Sequence, residues 1–155
     1  MMNAATLVAL AKTRGVRLAT AESCTGGMIA AALTDIAGSS AVFTHGFVTY
    51  SNEAKSEMLG VPEGLINAVG AVSEAVARRM AMGARLRAGA DFALSVTGIA
   101  GPDGGSPAKP TGTVWFGLAG PDIIITRHRV FSGDRAQVRA QAVTCALELF
   151  GEAIK

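Results

Sequence analysis

The sequence predicts an α/β protein: a single domain, residues 1–155, of three α/β/α layers around a mixed sheet that includes one antiparallel hairpin. Three observations carry this. Helix-like and strand-like segments alternate along the chain. Half of the residues are hydrophobic but only 5% are aromatic, so Ala, Val, Leu and Ile must build a closely packed core. The 19 glycines are too many for a helix bundle and suit a chain with many backbone turns. A length of 155 residues suits one domain and buries enough surface to need no disulfide or metal.

Residues 6–14 have a helical pattern that Gly15 closes. Residues 16–21 form a short strand, and residues 25–36 an Ala-rich helix ending near Gly38. Residues 41–50 (AVFTHGFVTY) are β-branched and aromatic, and read as a strand. Ser51-Asn52-Glu53 starts a short helix over 53–59, which Gly60-Val61-Pro62 breaks. Residues 65–69 add a helical turn. Ser73 caps a longer helix that runs to about Arg87. Residues 91–97 (DFALSVT) are a buried strand, followed by a glycine-rich loop to Pro110. Residues 112–119 and 123–131 form two strands joined by the Gly120-Pro121-Asp122 turn, a hairpin. Asp134 leads into a last helix over 135–153. The order is α-β-α-β-α-α-β-β-β-α. The strand order in the sheet is not set by this pattern.

A formal charge of +2 says little about partners. Arg78, Arg79, Arg85 and Arg87 cluster on one helix, but in several directions and with no aromatic platform beside them. They read as a solvated face, and no nucleic-acid partner is expected. Cys24 and Cys145 lack metal-ligand spacing, and the N-terminus lacks the basic start and cleavage site of a signal peptide. No apolar run reaches the ~18 residues of a membrane span. A cytoplasmic protein that does not touch membranes is expected.

Three segments pass from strand to loop to helix, and chemistry in open α/β sheets sits beyond the carboxyl ends of strands. The first is Ala21-Glu22-Ser23-Cys24-Thr25-Gly26-Gly27. It sets a hydroxyl and a thiol at a helix start, where unpaired N–H groups can face an oxyanion or phosphate. Taken alone, the segment reads first as a Ser/Thr helix cap after a tight turn. The second, Tyr50 to Lys55, offers a phenol and a lysine that burial can turn into a base. Its alternative is an exposed lysine on a short helix. The third, Thr97-Gly98-Ile99-Ala100-Gly101, can wrap a phosphate with backbone N–H groups, or be an ordinary turn. It is neither a Walker loop nor a dinucleotide fingerprint. A fourth candidate is Arg135. It stands in the first turn of the last helix, against the macrodipole's preference for anions, and is free to bind a carboxylate or phosphate. A surface salt bridge is the other reading. Arg139, one turn on, can share its face.

Taken together, AESCTGG, DIAGSSAVFTHGFVTYSNEAK, GAVSE, SVTGIAGPDGG, KPTGTVWFG and FSGDR resemble the CinA C-terminal domain family over roughly residues 7–149. Stand-alone members of that family are nicotinamide-nucleotide amidases. The resemblance implies hydrolysis of the carboxamide of nicotinamide mononucleotide to nicotinate mononucleotide and ammonia. It implies Ser23 as nucleophile, Lys55 as its base partner, and Tyr50 as the third catalytic group. It places Thr25, Gly26, Gly27, Thr97, Gly98, Gly101 and Arg135 around the substrate. A Ser–Lys pair needs no metal, and no cofactor is expected. The expected partner is a small pyridine nucleotide, and the family precedent is a homodimer or higher homo-oligomer. Longer members carry an extra N-terminal domain, whose pyrophosphatase activity is not transferred here.

Two rival readings stay open on sequence alone. One is a thiol hydrolase that uses Cys24 with His45, although His45 lies mid-strand. The other is a catalytically silent nucleotide-binding or regulatory domain.

Overall fold

In the computed structural model, which describes residues 1–155, five strands form one mixed sheet in the order β2-β1-β3-β4-β5. The elements are α1 (Ala4–Arg14), β1 (Leu18–Glu22), α2 (Met28–Thr34), β2 (Phe43–Val48), α3 (Asn52–Leu59), α4 (Glu63–Val69), α5 (Glu74–Ala88), β3 (Phe92–Gly98), β4 (Thr113–Gly120), β5 (Ile123–Val130) and α6 (Arg135–Ile154). A single 3-10 turn, Ser39–Ala41, precedes β2. β1 runs parallel to both β2 and β3, while β4 and β5 return antiparallel as the expected hairpin.

Alternation along the strands divides the core into two layers. Leu18, Leu94, Val96, Val114, Phe116 and Leu118 pack with α1, α2 and α6. Ala19, Ala21 and Ala93 face the other way, onto α3, α4 and α5. Small residues on this second face let α5 lie close to the sheet. Ser95 donates from its hydroxyl to the Ala77 carbonyl at 2.6 Å. A Cβ on Gly117 would overlap that same carbonyl. The largest element, α6, is held at its start by a full capping box: Asp134 accepts from the Gln137 N–H, and the Gln137 side chain accepts from the Asp134 N–H.

Several boundaries differ from the expectation by one to three residues: the strand expected over 41–50 is β2 at Phe43–Val48, the turn expected over 65–69 is α4 at Glu63–Val69, and two further shifts flank Ser23. Helix α2 begins at Met28, not at Thr25, because Gly26 and Gly27 adopt φ values of 57° and 104° and turn the chain before the helix starts. Strand β1 extends through Glu22, which pairs with Val48 on one side and Val96 on the other.

The strand order has one consequence for function. From β1 the chain crosses to β2 by α2 on one face, and returns to β3 by α3–α5 on the other. β1 is therefore the strand at which the winding reverses, and a crevice opens beyond its carboxyl end. The residue that follows β1 is Ser23. The three strand-to-loop segments singled out above belong to adjacent parallel strands and meet at this rim.

Candidate active site

The rim encloses a pocket of about 240 Å³ lined by Ser23, Tyr50, Lys55, Thr97, Gly98 and Arg135, together with Cys24, Asn52, Ala71, Val72 and Ala100. A larger cleft of about 650 Å³ lies between the end of α5 and the β4–β5 turn. Its lining of Arg79, Arg85, Arg87, Met82, Leu86 and Ile123 with small residues holds no nucleophile–base pair. The chemistry is in the smaller pocket.

Lys55 is its central feature. Ser51 caps α3 by accepting from the Ala54 N–H at 3.0 Å, and Gly60, at φ 71°, closes the helix. That short, well-capped helix carries Lys55 inward until only 1% of it is exposed. Its Nζ stands 3.1 Å from Ser23 Oγ, 3.0 Å from the Thr49 carbonyl oxygen, and 3.4 Å from those of Tyr50 and Ser51. No carboxylate pairs with it. Burial pushes its pKa below the ordinary 10.5, and the opposing influence is a charge on Cys24. That charge is absent near neutral pH, because burial pushes the Cys24 thiol up to about 11. A neutral amine has one lone pair and two N–H groups. Here the lone pair can take the Ser23 proton while the N–H groups donate to Thr49 and to one of the two more distant carbonyls.

Ser23 is 8% exposed, and its N–H donates to the Val96 carbonyl at 3.0 Å. The turn behind it is closed by Gly26, whose N–H donates to the Ser23 carbonyl at 3.0 Å. The Cys24 and Thr25 carbonyls accept from Arg139 at 3.0 and 3.4 Å. The N–H groups of Cys24 and Thr25 are hydrogen-bonded to nothing in the protein, although both residues are buried. Buried unpaired N–H donors beside a nucleophile are the equipment of an oxyanion hole.

Thr25, Gly26 and Gly27 do not line the pocket. The helix start where an anion was expected is already occupied by a carboxylate of the chain itself. Glu22 accepts from the Ile29 N–H at 2.9 Å and the Ala30 N–H at 3.0 Å. Thr97 lines the pocket while its hydroxyl donates to the Ala71 carbonyl at 2.9 Å, tying β3 to the segment before α5. Gly98 has no room for a side chain: a Cβ would stand 2.7 Å from Val114 Cγ2 and 2.9 Å from the Thr113 carbonyl oxygen. Gly101, at φ 88°, lies outside the lining and presents its carbonyl to Arg135 at 2.9 Å. The Ile99 N–H donates to the Thr113 carbonyl, so the loop is not an open row of amides.

Arg135 makes no salt bridge, against that alternative for it. It donates to the Tyr50 hydroxyl at 3.1 Å at the pocket mouth, where Tyr50 is 61% exposed. Cys24 and His45 do not form a pair. Cys24 is packed in the core, whereas His45 lies exposed on β2 against the Thr44 hydroxyl at 2.9 Å. Replacing Cys24 by Ala is expected to leave turnover within about threefold, since the change removes one buried sulfur and no reacting group. Complete loss of activity in a folded variant would restore the thiol reading.

The residues that sequence reasoning missed are Glu22 and Asn52, and Arg139 in its carbonyl-binding role. Glu22 had one signal, its position inside AESCTGG. Its target amides lie seven and eight residues on, outside the short-range capping pattern.

This fold and site define a three-layer α/β protein with a serine set against a buried lysine at the winding reversal of its sheet. The chain belongs to the CinA C-terminal domain family, whose model matches residues 2–154. It is 59% identical over 138 residues to the nicotinamide-nucleotide amidohydrolase PncC of Escherichia coli K12, covering 88% of this chain and 84% of that one. The PncC of Pseudomonas putida is 54% identical over 132 residues, covering 85% and 82%. A CinA-like protein of Anaeromyxobacter dehalogenans is 52% identical over 96% of this chain, which spans only 36% of that longer protein. Among solved structures, a competence/damage-inducible protein from Agrobacterium tumefaciens superposes with a TM-score of 0.93 at 45% identity, covering 97% of this chain and 92% of that one. A CinA superfamily protein from Klebsiella pneumoniae superposes with a TM-score of 0.92 at 44% identity, covering 97% and 95%. No helix is long and apolar enough to cross a membrane.

Proposed function

We propose that the chain is a nicotinamide-nucleotide amidohydrolase that converts nicotinamide mononucleotide and water to nicotinate mononucleotide and ammonia. The observation that carries this reading is the 3.1 Å approach of Ser23 Oγ to a buried lysine with a depressed pKa. The names of the PncC relatives supply the substrate. Neutral Lys55 takes the Ser23 proton as Oγ attacks the carboxamide carbon. The developing oxyanion is met by the Cys24 N–H, the unpaired donor on a residue that lines the pocket. As the C–N bond breaks, the Lys55 ammonium returns its proton to the departing ammonia, leaving an acyl ester on Ser23. Lys55 then deprotonates a water that attacks the ester, and the proton passes back to Ser23. Arg135 and Tyr50, joined at the mouth, receive the ribose-phosphate end, so Tyr50 is read as a binding group and not as a third catalytic one.

The test is ammonia release from nicotinamide mononucleotide, its riboside and free nicotinamide. The nucleotide is expected to lead by at least about tenfold in kcat/KM. Arg135→Ala is expected to raise KM for the nucleotide by about tenfold and to narrow its lead over the riboside. Tight binding of the nucleotide with no ammonia released would favour the silent binding domain instead.

A further inference from the structure

Glu22 stands at the end of β1, immediately before Ser23, and serves the opposite face of the sheet. Ser23 meets α3 through Lys55, whereas Glu22 meets α2. Its carboxylate is 1% exposed and has no cationic partner. Oε1 accepts from the Thr25 hydroxyl at 2.7 Å and the Ile29 N–H at 2.9 Å, and Oε2 from the Ala30 N–H at 3.0 Å. Burying a carboxylate to cap a seven-residue helix is unusual, because a side chain at the capping position does that at the surface. The position here is Gly27, which has no side chain.

The Thr25 contact gives the arrangement its meaning. Glu22 and Thr25 bracket Ser23 and Cys24, and their hydrogen bond closes the turn that carries the nucleophile. Arg139 holds the Cys24 and Thr25 carbonyls from α6. The Cys24 N–H, on the residue after Ser23 and lining the pocket, is left without an acceptor in the protein.

We infer that Glu22 is a positioning residue. Its carboxylate locks the Ser23–Thr25 turn, so that Ser23 Oγ is held at Lys55 and the Cys24 N–H stays free for the oxyanion. This rests on the serine–lysine reading above.

The experiment uses the full chain and the variants Glu22→Gln, Thr25→Val and Thr25→Ser, with three readouts. These are kcat and KM for ammonia release from nicotinamide mononucleotide, the rate and stoichiometry of Ser23 labelling by a fluorophosphonate, and thermal melting. Glu22→Gln keeps the Oε1 contacts but turns an amide donor onto the Ala30 N–H. It is expected to lower kcat by about tenfold or more with KM within about twofold, and to slow labelling in parallel at full stoichiometry. Thr25→Val, which leaves the carboxylate in place, is expected to do the same, and Thr25→Ser to restore the rate. Unchanged kcat in folded Glu22→Gln and Thr25→Val overturns the inference, as does a rate loss that merely matches lost labelling stoichiometry. If Glu22→Gln does not fold, the two Thr25 variants decide. A wild-type chain that labels at Ser23 but releases no ammonia sinks the proposed substrate alone, and the labelling rates then decide the role of Glu22. A wild-type chain that does neither sinks both.

Discussion

Lys55→Met is expected to lower ammonia release at least about 10³-fold while the protein stays folded. Methionine nearly matches the length and volume of lysine and suits the apolar part of the site. It cannot accept the Ser23 proton. Ser23→Ala is expected to lose about as much, and the double variant little more, because the two groups act as one unit. Steady-state ammonia release with circular dichroism on each variant checks this. Near-normal turnover in folded Lys55→Met would end the base assignment. The pH profile gives an independent reading. Activity requires the neutral amine, so kcat/KM is expected to rise with pH through the Lys55 pKa, which burial places below 10.5. The sign for stability follows from the same depression. Between the folded value and the unfolded value the unfolded chain binds the extra proton, so stability rises with pH across that interval and is lost as pH falls through the folded value. In Lys55→Met both dependences should flatten.

Gly83→Ala is expected to be strongly damaging although it lies outside the pocket. Gly83 lies on α5 where α3 crosses it, and a Cβ there would overlap the carbonyl oxygen of Leu59. Alanine is worth about 1 kcal/mol over glycine in a helix interior. Forcing two backbones apart costs about 3 kcal/mol, because a carbonyl cannot rotate aside like a side chain. The balance is a loss of about 2 kcal/mol, or roughly 4–8 °C in Tm for a chain of this size. Activity is expected to fall further than stability. Leu59 is one helical turn beyond Lys55, so displacing α3 draws Nζ away from Ser23, and a shift of ~1 Å at reacting groups costs about 10²-fold. Gly64→Ala on α4 is the control, since its Cβ would meet nothing within 4 Å. Calorimetry and turnover on the pair decide the matter. Equal behaviour of Gly83→Ala and Gly64→Ala would remove the close crossing from the account of the site.

Much of this architecture was legible in the chain. Gly15 and Gly60 closed helices where expected, and Ser51, Ser73 and Asp134 opened them, because caps act over three or four residues that the sequence displays side by side. The Gly120-Pro121-Asp122 turn announced the β4–β5 hairpin for the same reason. The start of α2 was misplaced because Gly26 and Gly27 are compatible with either a helix or a turn until their φ values are set by what surrounds them.

Local pattern and family resemblance together named Ser23, Tyr50, Lys55, Thr97, Gly98 and Arg135, and all six line one pocket. What the residue order by itself determined was therefore the set of elements, their caps, and which side chains carry reactive groups. Only the tertiary structure decided that β1 lies between β2 and β3, that Lys55 is buried rather than solvated, and that Glu22 fills the helix start once open to an anion. The reason is physical. Turns and caps are contacts between near neighbours in the chain, whereas desolvation of an amine and its distance from a serine 32 residues away exist only after the sheet and helices have packed.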